Sequence, residues 1–315
     1  TVLTGGVDVT SAAPVPYGKE VIDKLQALQK AKGFSAMTTL AQVNPLDLLP
    51  SPPTVSERYT GKTMGAHAEE MAVYFDIARE AQDRFALGSH KKAAAAIEAG
   101  HIQAQIAAAL APRGYVREDN IVRSTMAMEK LASLNPVFSK PHGTITAATS
   151  SALTDGAASI LLMSEQKVKE LGITPLGWLR SWDFPALDPR ENMLLGNAYS
   201  VPFALQKAGL TLSDIDLFEV HEAFAAQVLS NLRCLEDAVW CADTLNLSAA
   251  VGAIPEDKLN VWGGSLAYGH PFAATGGRLL LNVLHGLQRT DGSLGLVTAC
   301  AAGGLGAAMV VERAA

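Results

Sequence analysis

Apolar and polar positions in the first third of the chain predict one strand followed by helices. Residues 1–9 form a mostly apolar run around Gly5-Gly6, which predicts a buried strand that ends in a turn. A first helix is expected at residues 19–32. Two longer helices are expected at residues 69–88 and 89–110, because apolar side chains recur there at helical spacing.

The second half of the chain shows a different pattern. Residues 143–163 predict a strand, a turn and a second, buried strand. From Leu176 onward short apolar runs alternate with helical patterns, and the runs that predict strands are residues 215–220, 260–262, 293–298 and 307–311. Strands separated by helices are typical of an α/β layer fold with a mostly buried sheet.

A short internal similarity links the two halves. Residues 155–165 (DGAASILLMSE) resemble residues 304–312 (GLGAAMVVE), since both place a Gly-Ala-Ala turn before an apolar strand that stops at Glu. Two interpretations are open: the segments close equivalent half-domains, or the similarity is a coincidence among small apolar residues.

Length, charge and cysteine content narrow the class of protein. The 315 residues are 49% hydrophobic, which is enough for a large core and two domains. A formal net charge of −6 argues against a nucleic-acid-binding protein. Three cysteines do not predict a disulfide framework, which favours a reducing compartment. Two of them, Cys234 and Cys241, lack metal-site spacing, so we expect ordinary half-buried thiols and no metal.

Three segments near the C-terminus each place one reactive side chain among small residues after an apolar strand. They are residues 219–227 (EVHEAFAAQ) with His221, residues 260–271 (NVWGGSLAYGHP) with His270, and residues 298–306 (TACAAGGLG) with Cys300. In an open α/β sheet, ligands bind outside the carboxyl ends of the strands. Small residues let backbone N–H groups approach a substrate, as an oxyanion site requires. A thiol and an imidazole within reach form an acid/base pair near neutral pH.

Each motif alone has an ordinary structural interpretation. A lone cysteine on a Gly-rich turn is most often a packed small hydrophobe, and a histidine before proline is most often a hydrogen-bonded turn residue. Residues 303–306 lack the Lys-Ser/Thr of a P-loop. The joint occurrence of the three motifs is what indicates an active site.

In this order, the three motifs resemble the C-terminal signatures of thiolases. Residues 143–147 and 155–158 resemble the segment that closes the family's N-terminal core domain, so the resemblance spans the chain. Most thiolases have Asn where this chain has His221. This form, together with an insertion at residues 17–60, is most similar to the thiolase (beta) subunit of fatty-acid oxidation trifunctional enzymes.

The resemblance implies specific catalytic roles. In thiolases one cysteine takes up the acyl group and a second moves protons, and Cys300 matches the second. His270 would activate the nucleophile and help to stabilise the thioester oxyanion. His221 would hold the water that completes this site, and Glu222 would orient neighbouring groups. The backbone N–H of Ala302, where glycine is usual, would serve a second oxyanion hole.

The resemblance also implies CoA-binding positions. They are Met64, Arg123, Phe138, Ala147, Ser151 and Phe224. Arg123 would face the nucleotide phosphates. CoA is a substrate of the family, so neither a separate cofactor nor a metal is expected.

The implied architecture is an α/β thiolase fold of layered αβαβα type, with an incomplete N-terminal core domain. The expected division is residues 1–12 as a strand remnant of that domain, 13–142 as a largely helical loop domain with the insertion 17–60, 143–172 as the closing part of the N-terminal core domain, and 173–315 as a complete C-terminal core domain. The family's nucleophile lies before the strand matched by residues 1–9. Because no cysteine precedes Cys234, we expect an N-terminal segment with the nucleophile to be missing and this chain alone to be inactive.

Three functions compete at this point. The first is thiolytic cleavage of 3-ketoacyl-CoA in fatty-acid β-oxidation by the full-length protein, and the others are a non-catalytic CoA-ester-binding protein and a scaffold subunit. Partners implied by the resemblance are a hydratase/dehydrogenase subunit, through residues 17–60, and further copies of the chain. Leu46, Leu48, Leu49 and the prolines of residues 17–60 also fit contact with a membrane surface, but the default interpretation of this insertion is a solvated loop packed on its own domain. The expected location is the mitochondrial matrix or the bacterial cytoplasm, with a peroxisome-like organelle as the alternative.

Overall fold

The computed structural model describes residues 1–14, 17–32, 38, 41, 44, 49, 56–111 and 114–314. Most of the insertion after residue 32 therefore lies outside the described residues. The helices are α1 (Lys19–Lys30), α2 (Met64–Tyr74), α3 (Arg79–Glu98), α4 (Met128–Ala132), α5 (Glu165–Leu171), α6 (Gly196–Ala208), α7 (Ala225–Glu236), α8 (Ala238–Leu245), α9 (Ser265–Tyr268) and α10 (Thr275–Thr290). The strands are β1 (Val2–Asp8), β2 (Ala109–Ala111), β3 (Gly114–Val116), β4 (Gly156–Leu162), β5 (Gly177–Asp183), β6 (Leu217–Val220), β7 (Leu294–Ala301) and β8 (Leu305–Arg313).

The C-terminal part of the chain is built on a sheet with the strand order β5-β8-β7-β6. β6 runs parallel to β7, and the other neighbours are antiparallel. Side chains alternate across the sheet, with Leu217, Val297 and Val311 on the α10 side and Phe218, Leu296 and Val310 on the side of α6 and α7. Helices therefore cover both faces, and the predicted α/β sheet with a buried centre is confirmed.

The two N-terminal strands are exposed, although the sequence predicts them to be buried. β1 pairs antiparallel with β4, from Val2 opposite Leu162 to Asp8 opposite Gly156. Leu3 is 73% exposed and Leu161 is 56% exposed. Within the described residues this sheet contains only these two strands, so its faces lack the covering layers of the C-terminal sheet.

The helices α2 and α3, which lie between β1 and β4 along the chain, break at a different point from the one predicted. α2 ends at Tyr74, where Asp76 adopts a φ of 49°, and α3 then runs without interruption through residues 88 and 89 to Glu98. Gly100, with a φ of 70°, follows the end of α3. Residues 109–111 form β2 instead of the end of the predicted helix.

Two predicted strands are wrong. Residues 260–262 form a turn after a single bridge between Leu259 and Phe218, because Asn260 adopts a φ of 44° and uses its side chain to bond other backbone groups. Residues 143–150 are also irregular, since the Glu69 carboxylate accepts the N–H of Ile145 at 3.1 Å and the hydroxyl of Thr144 at 2.8 Å. Conversely, β5 was not predicted.

The N-terminal strand pair holds the loop that follows residue 269. The carboxylate of Asp8 accepts the backbone N–H of Ala273 at 2.7 Å. A Cβ on Gly6 would come within 2.1 Å of the Ala273 carbonyl oxygen, and one on Gly156 would come within 2.7 Å of Pro271. The first and last parts of the chain are therefore packed directly together.

No helix in the described part of the chain is long and apolar enough to cross a membrane.

Candidate active site

His221 and His270 lie against one another, with their ring centroids 4.3 Å apart. His221 follows β6, and its backbone N–H donates to the carbonyl oxygen of Thr298 on β7 at 2.8 Å. His270 follows α9 and Gly269, whose φ of 86° lets the chain turn, and its N–H donates to the carbonyl oxygen of Ala152 at 2.8 Å. Two of the three predicted motifs therefore meet at the carboxyl end of β6.

Each imidazole is held through its Nδ1 atom by a hydroxyl. Nδ1 of His221 lies 2.8 Å from Oγ of Ser265, and Nδ1 of His270 lies 2.7 Å from Oγ1 of Thr275. Nε2 of His221 is buried and has no hydrogen-bond partner among the described residues. These contacts fix both rings and direct their Nε2 atoms away from the supporting hydroxyls.

Both imidazoles are neutral near pH 7. Burial, reinforced by the positive charge of Arg278, lowers the pKa of His270 to about 4, although Asp8 acts in the opposite direction. Burial also lowers the pKa of His221 well below its usual range, and His270 and Arg278 act in the same direction. A neutral imidazole can accept a proton, which is what a general base requires.

Cys300 lies near the end of β7, in register with Gly306 of β8, and is 7% exposed. It belongs to the same buried apolar cluster as Val220, the residue before His221. Burial raises the pKa of its thiol to about 12. The thiol is therefore protonated at neutral pH and able to act as an acid.

Glu222, the residue after His221, is buried, and its carboxylate is bound on several sides. Its carboxylate accepts hydrogen bonds from the Ser89 hydroxyl at 2.7 Å, the Asn260 amide at 2.6 Å and the Leu266 backbone N–H at 3.1 Å. Burial raises its pKa, while these hydrogen bonds lower it. The partners of Glu222 belong to α3 and to the segment leading to His270, so its bonds orient that segment.

Ala302 lies in the exposed turn between β7 and β8. Gly303 and Gly304 follow it with φ values of 82° and 72°, which is the left-handed region that favours glycine. This turn leaves the backbone of residue 302 accessible just after Cys300.

The predicted CoA positions fall into an aromatic group and separate loop positions. The rings of Phe138 and Phe224 meet edge to face with centroids 5.7 Å apart. Phe138 also lies over Gly65 in the first turn of α2, the helix that Met64 begins, since a Cβ on Gly65 would come within 2.3 Å of its ring. The structure thus brings this part of the predicted set together at the start of α2.

The remaining positions are held through the backbone or lie on turns. The N–H of Ser151 donates to the carbonyl oxygen of Ala223 at 2.9 Å, directly before Phe224. Ala147 lies on an exposed turn. Arg123 is exposed, and its backbone N–H donates to Nδ1 of His90 at 3.1 Å.

Ser265, Thr275 and Arg278 contact the histidines or the segments that carry them, but the sequence motifs predict no role for these three residues. All three lie within residues 260–271 or just after them, and their hydroxyl and guanidinium groups were the only signal that could have identified them. In the described part of the chain, no group of three or more His, Cys, Asp or Glu side chains could hold a metal ion. A cavity of about 330 Å³ borders Glu222 on the side of Ser89 and Lys92, away from both histidines.

Comparison with known proteins identifies relatives along the whole chain. The family model "Thiolase, N-terminal domain" matches residues 1–166, and "Thiolase, C-terminal domain" matches residues 173–313. The 3-ketoacyl-CoA thiolase of Klebsiella pneumoniae (strain 342) is 49% identical over 313 residues, which are 98% of this chain and 72% of that protein. The 3-ketoacyl-CoA thiolase of Escherichia coli O7:K1 is 47% identical with the same coverage.

Solved structures give the same result. The human mitochondrial 3-ketoacyl-CoA thiolase in complex with CoA superposes with a TM-score of 0.79 at 29% identity, covering 99% of this chain and 71% of that one. The acetyl-CoA acetyltransferase of Bacillus anthracis superposes with a TM-score of 0.78 at 30% identity, covering 99% and 71%. The predicted resemblance and the predicted thiolase fold are thereby confirmed, and this chain belongs to the thiolase family.

Proposed function

We propose that this chain supplies the acid/base part of a 3-ketoacyl-CoA thiolase, an enzyme of fatty-acid β-oxidation. The reaction cleaves 3-ketoacyl-CoA with CoA into acetyl-CoA and a shortened acyl-CoA. The observation that carries the proposal is the contact between two neutral imidazoles after β6, the strand that pairs with β7, and β7 carries the protonated thiol of Cys300. The names of the enterobacterial relatives support the same activity.

In the proposed first half-reaction, Nε2 of His270 takes the proton of a nucleophilic thiol, and the thiolate attacks the C3 carbonyl of the substrate. The bond between C2 and C3 then breaks, and its electron pair is left on C2 as the enolate of acetyl-CoA. The thiol of Cys300 donates its proton to C2, which releases acetyl-CoA and leaves an acyl group on the nucleophile.

In the second half-reaction, CoA displaces the acyl group. The Cys300 thiolate takes the proton of the CoA thiol, and the resulting CoA thiolate attacks the thioester carbonyl of the acyl-enzyme. The nucleophilic sulfur leaves and regains its proton from Nε2 of His270, so both residues return to their starting protonation states. The thioester oxyanion would accept hydrogen bonds from the two histidines, and the N–H of Ala302 would serve the second oxyanion hole. Glu222 would act only by orienting the segment before His270.

We further propose that the nucleophilic cysteine belongs to a segment that precedes β1 in the longest natural form of the protein. Cys234 and Cys241 are the other cysteines of the chain, and both are buried in the helical layer, with Sγ of Cys241 3.3 Å from the carbonyl oxygen of Cys234. This chain spans 72% of the relative from Klebsiella pneumoniae, which leaves room for such a segment. By itself, the 315-residue polypeptide would then form no acyl-enzyme.

The test compares the 315-residue polypeptide with the longest natural form of the protein. Each is mixed with acetoacetyl-CoA and with a long-chain 3-ketoacyl-CoA, and covalent acylation is followed by intact-protein mass spectrometry. We expect acylation and thiolysis in the longer form alone. Rapid acylation of the 315-residue polypeptide would refute the missing nucleophile, while a longer form that binds CoA esters without turnover would favour the non-catalytic alternative.

For substrate binding, we propose that the aromatic group formed by Phe138 and Phe224 contacts CoA near Met64. Ser151 and Ala147 would line the same region through the backbone, and Arg123 would bind the phosphates. Supporting observations are the clustering at the start of α2 and the exposed guanidinium of Arg123.

We also propose partners and a cellular location for the protein. A hydratase/dehydrogenase subunit would bind through residues 17–60, as the resemblance to trifunctional enzymes implies, and further copies of the chain or a membrane surface are alternative contacts. A pull-down with and without residues 17–60 tests the subunit contact. The bacterial relatives support a place in the bacterial cytoplasm, with the mitochondrial matrix and a peroxisome-like organelle as alternatives.

A further inference from the structure

Ser265 lies between His221 and Arg278 and contacts both. Its Oγ is 2.8 Å from Nδ1 of His221 and 2.6 Å from Nη2 of Arg278. Ser265 is fully buried, and within the described residues these are the only hydrogen-bond contacts of its Oγ. A guanidinium group can only donate, so the Ser265 oxygen accepts from Arg278.

Whether the Ser265 hydroxyl proton has a hydrogen-bond acceptor depends on which ring nitrogen of His221 carries the proton. If Nδ1 carried the proton, the Ser265 oxygen would accept from both neighbours and its own hydroxyl proton would have no acceptor, which is unfavourable in a buried site. If Nδ1 is unprotonated, it accepts the Ser265 hydroxyl, and the hydroxyl proton, the Ser265 oxygen and Nδ1 all have a partner. The geometry therefore favours the tautomer of His221 that carries its proton on Nε2.

Nε2 of His221 is the nitrogen that faces away from Ser265. It is buried and has no partner in the described part of the molecule, and its ring lies against that of His270. In the favoured tautomer this atom is an unused hydrogen-bond donor within the site.

Arg278 is itself held in place by neighbouring groups. Its Nη1 atom donates to the carbonyl oxygen of Gly269 at 2.8 Å, directly before His270. The acidic side chains of Glu219 and Asp119 attract its charge, which opposes the effect of burial on its pKa. One guanidinium thus supports the segments that carry both histidines.

We propose that Ser265 and Arg278 are positioning residues that hold His221 in the Nε2–H tautomer and so present this N–H as a donor to the thioester oxygen, directly or through one water. The role of the N–H in catalysis rests on the proposed thiolase function. The tautomer itself does not, and it can be measured without turnover.

The first experiment determines the tautomer by NMR of the 315-residue polypeptide with ¹⁵N-labelled histidine. Two-bond ¹H–¹⁵N correlations show which ring nitrogen carries the proton, and His221→Asn assigns the signal. We expect Nε2–H in the unmodified chain and a shift toward Nδ1–H in Ser265→Ala. The matched control is Ser181→Ala, which removes another buried hydroxyl, bonded to the carbonyl oxygen of Ala204 at 2.6 Å, and leaves the His221 signal unchanged.

An Nδ1–H tautomer in the unmodified chain would overturn the proposal, and so would an unchanged tautomer in Ser265→Ala. If Ser265→Ala does not fold, the unmodified chain and Arg278→Lys still decide. Lysine keeps the charge but loses the forked contact to Ser265 and Gly269, so we expect a mixture of tautomers in that variant.

The second experiment is a double-mutant cycle in the longest natural form of the protein, with acetoacetyl-CoA as substrate. Ser265→Ala should lower kcat about tenfold with little change in KM, since it weakens one oxyanion donor. In the His221→Asn background the same change should have no further effect, because an amide always presents an N–H. Equal losses in both backgrounds would indicate a merely structural role and overturn the proposal. Absence of thiolysis in the unmodified long form would instead refute the proposed function and leave the NMR result standing.

Discussion

The backbone N–H of His221 donates to the carbonyl oxygen of Thr298 at 2.8 Å. Thr298 precedes Cys300 by two positions on β7, and its hydroxyl donates to the carbonyl oxygen of Ala307 on β8 at 2.8 Å. The first histidine and the thiol are therefore located by the same stretch of sheet. Because the sheet is buried and hydrogen-bonded along this stretch, their spacing is set by backbone geometry and not by flexible loops.

Replacement of Cys300 by serine should abolish most of the thiolase activity of the longest natural form. A hydroxyl is a much weaker acid than a thiol, and loss of a positioned general acid typically costs about 10²–10⁴-fold in rate. Thiolysis of acetoacetyl-CoA measures the effect. Cys241→Ala is the matched control, since it removes a second buried thiol away from the histidines. Comparable losses in the two variants would contradict a catalytic role for Cys300.

The contribution of the two buried imidazoles to the stability of the chain should fall as the pH drops from about 6.5 toward 4. The pKa of His270 in the folded state is about 4, so in this interval the unfolded state binds more protons than the folded state. His221 acts in the same direction because its pKa is also lowered. Above about pH 6.5 this loss disappears, because the imidazoles are neutral in both states.

Urea unfolding of the unmodified chain and of His270→Gln at a series of pH values measures this dependence. In the variant, the slope of unfolding free energy against pH should decrease by up to about 1.4 kcal/mol per pH unit, which corresponds to one proton. Identical slopes in the two proteins would show that His270 does not titrate in this way.

Glu222→Ala should destabilise the chain strongly. The change leaves the Ser89 hydroxyl, the Asn260 amide and the Leu266 N–H without their acceptor in a buried region, at a cost of about 1–3 kcal/mol for each unpaired group. Urea denaturation measures the loss. Glu165→Ala, which removes an exposed carboxylate paired with Lys169 at 2.6 Å, should leave the stability nearly unchanged. Equal effects of the two changes would refute the account of Glu222.

Gly6→Ala should destabilise the contact between the N-terminal strands and the loop after His270. Its Cβ would come within 2.1 Å of the Ala273 carbonyl oxygen, and we expect a loss of about 1–3 kcal/mol as the loop is displaced. Gly88→Ala is the control, since no atom lies within 4 Å of the added Cβ, and it should stabilise α3 by about 0.5–1 kcal/mol. Thermal unfolding shows whether each change lowers or raises the stability of the chain.

Arg123→Ala should weaken the binding of CoA about tenfold, because one charge-assisted contact to phosphate is lost. Calorimetric titration of CoA into the 315-residue polypeptide gives the dissociation constant. Arg117→Ala removes another arginine, whose guanidinium lies over the ring of Tyr115, and should not change the affinity. If both variants bind CoA like the unmodified chain, Arg123 does not contact the phosphates.

Much of the C-terminal sheet could be predicted from the sequence. Residues 215–220, 293–298 and 307–311 are apolar runs, and all three coincide with strands because the sheet is covered on both faces. The exposure of β1 could not be predicted in the same way. An apolar run indicates that a strand can be buried, but which other strands and helices cover it depends on tertiary structure.

The site was predictable to the extent that reactive side chains follow strand ends. His221 fulfils this expectation, whereas His270 follows α9 because residues 260–262 form a turn instead of the predicted strand, and the two rings nevertheless meet. Ser265 and Thr275 could not be identified from the sequence, because serine and threonine are common throughout proteins. Only the geometry shows which ring nitrogen each one faces. The left-handed conformation of Asn260 likewise cannot be predicted from the spacing of apolar residues, although it directs the chain toward His270.

The bond between Asp8 and Ala273 joins residues that are 265 positions apart. Such a contact closes a very long loop, and contacts of this kind are among the slowest to form during folding. During synthesis, β1 leaves the ribosome long before the segment that carries His270 exists. His270 can therefore reach its final position only after nearly the whole chain has been made, so incomplete chains would not present the proposed acid/base pair.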